Sequence, residues 1–424
     1  MLETHPARLS DHQRPVAAHR RILALAWGAW CTGFYSLTLL SFLLPQLRAA
    51  FRMGDHGLAV LTAVGVGMSG VGGVLFGLLA DRIGRRASLA WAVACFCLGN
   101  VICGLAPLAA WLLVGRALTG LGVGGTWGAG QAMLGETFPP ALRGRYGAIA
   151  QTGSPCGLGL ATVAGSFLTP VVGWRAVFLL SALPIASLAF FRYLPESDVW
   201  REHRRRLRQG SLDGAELARA RRPILAQLGA ADLAGVFTRA LVLTTLNMSA
   251  YWFAIVWLPV YLQRQRGLTI FSSGWWTLTF VGGSLLGYLS FGWVSDAIGR
   301  RRAFTLYSAI TAAGLLMVTL FWSAFEARPE VGLACMFVAG CGTGTWSCYG
   351  PFFSELFPTR VRGAAMSLIM NVTRGVQFVA PLVIAAVAGR WGLAGGVALA
   401  ACFAVLAGVW VWTLPETAGR AIET

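Results

Sequence analysis

The chain has 424 residues, of which 56% are hydrophobic and only 12% charged, with a mean hydropathy of +0.64. A soluble protein of this length carries about twice that charged fraction, so a soluble fold with an oversized core is excluded. The formal net charge is +17 and every basic residue is Arg; alone, that balance suits nucleic acid or acidic lipid.

Taken in chain order, twelve apolar segments of spanning length appear, at roughly 22–46, 58–80, 88–107, 109–135, 146–171, 174–194, 238–262, 274–295, 303–324, 332–354, 364–388 and 392–414. The first is too long for the apolar core of a cleavable signal and lacks a cleavage site, so it stays as a span. The 17 Trp and 53 Gly fit interfacial aromatic belts and close helix packing. Nearly all nine Cys lie inside apolar runs, which suits small buried thiols rather than disulfides or a zinc site. The expected organisation is a tail over 1–21, a six-helix bundle over 22–195 and a polar stretch over 196–235. A second bundle over 236–415 and a tail over 416–424 complete it. An even number of spans puts both tails on one side. That side collects about 24 of the 34 Arg, which predicts cytoplasmic termini. The run Arg204, Arg205, Arg206, Arg208 is then a solvated loop near anionic headgroups, and no nucleic-acid partner is expected.

Three motifs recur. Gly77-Leu-Leu-Ala-Asp81-Arg82-Ile-Gly84-Arg85-Arg86 after span two returns as Gly292-Trp-Val-Ser-Asp296-Ala-Ile-Gly299-Arg300-Arg301 after span eight, offset by 215. Glu136-Thr-Phe-Pro with Arg143 returns as Glu355-Leu-Phe-Pro with Arg362, offset by 219. Leu194-Pro-Glu-Ser returns as Leu414-Pro-Glu-Thr, offset by 220. One order at nearly one offset describes a duplicated six-helix unit. Gly84 and Gly299 predict two-residue turns with unusual backbone angles. Asp81 and Asp296 are expected to accept from helix N-termini and pair with Arg, and Glu136–Arg143 and Glu355–Arg362 to form further ion pairs. Such a network suits a latch that holds one conformation and breaks in another.

On these motifs the chain resembles the major facilitator superfamily from about Arg20 to Pro415. Within it, the chain is similar to the metabolite:proton symporters, the branch of sialate, lactate and aromatic-acid carriers. That narrower likeness rests on Tyr251-Trp252 with Trp257-Leu-Pro259, Gly287-Tyr288, Tyr349-Gly350-Pro351, and Asn371-Val-Thr-Arg374-Gly375 with Pro381. The resemblance implies an all-α membrane fold of two pseudo-symmetric six-helix bundles that moves a small molecule by alternating access. The absence of Lys and the simple tails suggest a bacterial inner (plasma) membrane location; a monomer without cofactor or metal is expected.

Charges inside a bilayer are costly and mark function by default. Arg116 lies in glycine-rich span four and Arg374 in span eleven beside Asn371 and Gln377. The resemblance implies that both face a central cavity, one from each half. The other reading is a structural Arg satisfied by main-chain carbonyls. None of the 17 carboxylates falls in the middle of a span, and the five His lie in tails or loops. Where the branch carries an acidic pair in span one, this chain has Thr32-Gly33-Phe34-Tyr35. Two buried Arg without an acidic partner point to an organic anion, most simply a carboxylate, with protons as a second candidate passenger. Trp27, Trp30, Tyr35, Gln151, Asn247, Tyr251, Trp252, Trp346 and Tyr349 complete the expected lining. A drug exporter, a sugar porter and a non-transporting sensor are the rival readings. A membrane-embedded enzyme lacks the mid-span His, Asp or Glu its chemistry needs.

Overall fold

The computed structural model describes residues 14–139, 146–147, 149–209, 231–322, 328–357 and 359–417. Among them the chain is helical, and each half repeats the other. The long helix of span one, Ala17–Phe51, ends where Arg52 turns left-handed at φ 51°. Span two (Asp55–Ile83) and span eight (Ile270–Ile298) each run 29 residues. Span three (Arg85–Gly104) and span nine (Arg300–Leu320) start one residue later, so the expected two-residue turns are single-residue joints. Gly84 at φ 105° and Gly299 at φ 93° make them, an angle that side chains with a Cβ resist.

The second repeated break is also a glycine. Spans five and six part at Gly173, φ 82°, and spans eleven and twelve at Gly392, φ 68°. Their separation is the same 219 residues that relates Glu136 to Glu355. Before Gly173, span five widens into a π-helical turn over Val163–Leu168. Span seven is Ala231–Arg264, with Pro259 in its last turns.

Eight helices among the described residues are long and apolar enough to cross a membrane by length and composition. One of them, Ile149–Phe191, contains spans five and six. Span four (Ala109–Thr137) is absent from that set because Gly and Arg116 dilute its hydropathy. Span ten is absent because it is cut into Pro329–Gly342, a 3₁₀ turn and Tyr349–Leu356. Span eleven carries Arg374 in the helix Thr359–Val376 and continues, past a two-residue turn, from Val379 to the break at Gly392.

Packing within each half relies on backbone approach. A Cβ at Gly124 would stand 1.9 Å from the Ser69 carbonyl oxygen, and one at Gly283 1.9 Å from that of Phe337. Spans two and four, and eight and ten, therefore touch main chain to main chain. The outer surface is apolar: Trp91, Val171 and Trp293 are 62%, 80% and 77% exposed. Water would penalise such a surface, whereas lipid tails solvate it.

Candidate functional site

One face of the bundle carries the duplicated charges, here termed the clasp face. In the first half Arg85 donates to Glu136 at 2.8 Å and to Asp81 at 2.7 Å. The main-chain N–H groups of Arg85 and Arg86 donate to the Glu196 carboxylate at 2.9 and 3.2 Å. The second half repeats this: Arg300 pairs with Glu355 at 3.0 Å and with Asp296, while the N–H groups of Arg300 and Arg301 donate to Glu416 at 2.9 and 3.1 Å. Arg86 and Arg301 also donate to the Leu194 and Leu414 carbonyls.

This corrects the expected wiring. The helix N-termini are capped by Glu196 and Glu416, not by Asp81 and Asp296, because the non-helical residues after span six (or twelve) deliver a carboxylate directly over the glycine joint. A Cβ at Gly84 would lie 2.2 Å from Glu196 Oε2. Glu136 and Glu355 pair with Arg85 and Arg300; Arg143 and the Arg362 side chain lie outside the described residues. Gly77 and Gly292 face open space, and Arg82 offers its carbonyl to Arg204 of the helix Asp198–Gln209. Each clasp described on this face stays within its own half. Glu196→Ala takes the acceptor from the N–H groups of Arg85, Arg86 and Ser197 and is expected to destabilise the protein by about 1–3 kcal/mol, read as a lower melting temperature.

The halves meet deeper in the bilayer. Arg374 is buried, and its guanidinium sits 4.9 Å from the ring centre of Trp127 and 5.1 Å from that of Trp30, both in the first half. Its Nη1 has no hydrogen-bond partner, and among the described residues no carboxylate pairs with it. Trp30 Nε1 and Gln377 Oε1 are likewise buried without partners. A shallow, partly open pocket with room for little more than a water molecule is walled by Trp30, Trp127, Thr126 and Gln131, beside the two indoles. Two indole faces hold the cation through their quadrupoles, but they offer no acceptor to its Nη1. What the arrangement lacks is an acceptor, and an anion supplies one.

Several expected lining residues serve this pair from behind. Gln151 accepts from Trp127 Nε1 at 3.1 Å and so orients the indole, and Gln377 donates to Ser249 at 3.1 Å. Trp27 donates to Thr152. Tyr251 and Trp252 close against Phe34 of the first half with ring centres 6.2 and 5.9 Å apart, and Trp346 stacks edge-on to Tyr251. Asn371 fits against Gly73, where a Cβ would lie 1.7 Å from its Oδ1. Asn247 accepts from Thr345, Tyr35 is half-buried, and Tyr349 packs among Phe304, Trp346 and Phe353 inside the second half.

Arg116 is not brought to this group. It is 1% exposed and donates to the Ser36 and Leu37 carbonyls at 2.9 and 3.0 Å, filling the space above Gly65. Both its Nη groups are held by main chain, as the alternative weighed for it expects, while its Nε is buried without a partner. His19 also departs from expectation: it lies in span one, fully buried, bonded to Val16 N–H and the Thr137 carbonyl. Trp127 and the charged trio Arg48, Asp55 and Arg264 on the far face went unrecognised in the sequence. The signal for Trp127 was its place within the glycine run of span four, between Gly125 and Gly128.

The family model described as Major Facilitator Superfamily matches residues 25–290 and 240–423. The chain is 24% identical to a sialic acid transporter of Escherichia coli over 88% of each chain. It is 28% identical to a gallate transporter of Pseudomonas putida over 85% of this chain and 84% of that one. The xylose transporter of E. coli in its inward-open conformation superposes with a TM-score of 0.74 at 19% identity, covering 95% of this chain and 98% of that one. Two bundles of six spans, the duplicated clasp and the matching model lead to one statement: this multi-pass membrane protein belongs to the Major Facilitator Superfamily.

Proposed function

We propose that the protein is a secondary transporter of small carboxylates, with Arg374 as the anion-binding group. The observation that carries this reading is Arg374 itself, buried between two Trp with an unpartnered Nη1. A guanidinium in low dielectric without an acid beside it is costly, and a carboxylate removes that cost by pairing with it. The sialic acid and gallate carriers, both named for acids, support the same class. In this reading Arg116 ties span four to span one, Asn371 and Gln377 position span eleven, and alternating access moves residues 22–195 against 236–415. The Arg distribution supports an inner-membrane location with the clasp face and both termini cytoplasmic. No residue of the cavity is assigned to carry a proton, since none of the 17 carboxylates lies in the middle of a span.

Thermal stability of the purified protein against carboxylates, amino sugars and neutral sugars tests this. A ligand at a hundred times its Kd stabilises the folded state by about 2.7 kcal/mol. Carboxylates are expected to raise the melting temperature and neutral sugars to leave it unchanged; the reverse pattern rejects the anion site.

A further inference from the structure

On the far face, opposite the clasps, the two halves are joined by charge. Asp55, the first residue of span two, accepts from Arg264 Nη1 at 3.0 Å, and the same Oδ1 accepts from Arg48. Arg48 ends span one and Arg264 ends span seven, the equivalent helix of the second half; each follows a proline, Pro45 or Pro259, by a few residues. The acid has no twin: the position equivalent to Asp55 is Ile270, the first residue of span eight. Two pseudo-equivalent guanidinium groups therefore share one carboxylate. Among the described residues, the Asp55–Arg264 contact is the ion pair that crosses between the halves.

Beneath it the halves are sealed by packing. Phe167 in the π-helical turn meets Phe271 and Trp275 at 4.7 and 5.6 Å between ring centres. A Cβ at Gly274 would come 2.6 Å from that of Ser166, which is itself fully buried. Opening this mouth must separate Asp55 from Arg264, and the lone carboxylate then stays with Arg48 in its own half.

We propose that Arg48, Asp55 and Arg264 form the ionic gate of the far mouth, and that this gate biases the protein toward the far-closed state. The inference rests on alternating access but not on the nature of the substrate. Asp55 is 66% and Arg264 29% exposed, so the gate is screened by salt and its bias is modest. A gate of this strength holds the mouth without trapping it.

The test uses Ser166→Cys as a reporter in the full chain in detergent, labelled with a maleimide; the rate is taken over that of the parent with its nine native Cys. Ser166 Oγ has no hydrogen-bond partner, so the exchange removes no bond. Asp55→Asn and Arg264→Gln are expected to speed labelling roughly two- to five-fold. The charge swap Asp55→Arg with Arg264→Asp is expected to return it toward the starting rate. High ionic strength is expected to speed labelling in the reporter alone but not with Asp55→Asn present. Unchanged labelling in the single variants overturns the gate, and so does a swap that labels as fast as they do. No substrate enters this assay, so a failed carboxylate screen and a failed gate are separate results.

Discussion

Replacing Arg374 with alanine is expected to abolish carboxylate binding while raising the stability of the empty protein. The two signs have one origin. In the empty state the guanidinium is buried among indoles, with Nη1 unsatisfied and no described acid beside it, so its removal relieves an uncompensated charge. In the loaded state the same group holds the ligand, and truncating one partner of a buried charge pair costs about 2–5 kcal/mol. That corresponds to roughly thirty-fold or more in Kd. Arg374→Lys keeps the charge but loses the planar fork, so an intermediate affinity is expected. Arg116→Ala provides the contrast. It removes two bonds to the carbonyls of span one and is expected to lower the melting temperature. Binding titrations alongside thermal melts check both; an Arg374→Ala protein that still binds carboxylates rejects the assignment.

The second large effect is expected at Gly70. A Cβ there would stand 2.5 Å from the main-chain nitrogen of Gly375 and 2.8 Å from the Asn371 carbonyl oxygen, in the opposite half. Backbone cannot step aside as a side chain does, so Gly70→Ala must push span two away from span eleven. Each bundle keeps its own packing, and the loss falls on the contact between them. Transport is expected to drop at least tenfold with folding retained, because overpacking of about 1–3 kcal/mol at this crossing shifts the balance of states. Gly124→Ala, which meets the Ser69 carbonyl oxygen within one half, is expected instead to lower stability and yield. Uptake assays together with size-exclusion profiles separate the two.

Much of the fold was legible because its cues are local and doubled. Gly84 and Gly299 announce their joints in sequence, and the apolar runs give their own lengths. Arg374 was legible too, since an Arg eleven residues into a span draws suspicion wherever it sits. Partners were harder to read. The carboxylate that caps Arg85 and Arg86 is Glu196, over 100 residues downstream, and Asp81 is the nearer and more tempting choice. Arg264 meets Asp55 across 209 residues, and nothing in either neighbourhood marks the pairing. Arg116 looked like a cavity residue because its ligands are main-chain carbonyls, which every residue has and no sequence displays. His19 was hidden by its polar neighbours, since only the packing of span one against the end of span four buries it.

The clasps carry a consequence for how the protein is made. Glu196 and Glu416 are among the last groups of their halves, and each caps a helix that begins more than a hundred residues earlier. As the chain leaves the ribosome from its N-terminus, the first half has every group of its clasp once residue 196 has been synthesised, with no contribution from the second. The duplicated unit therefore carries all the groups of its own clasp, and the first half needs nothing from its twin to close it.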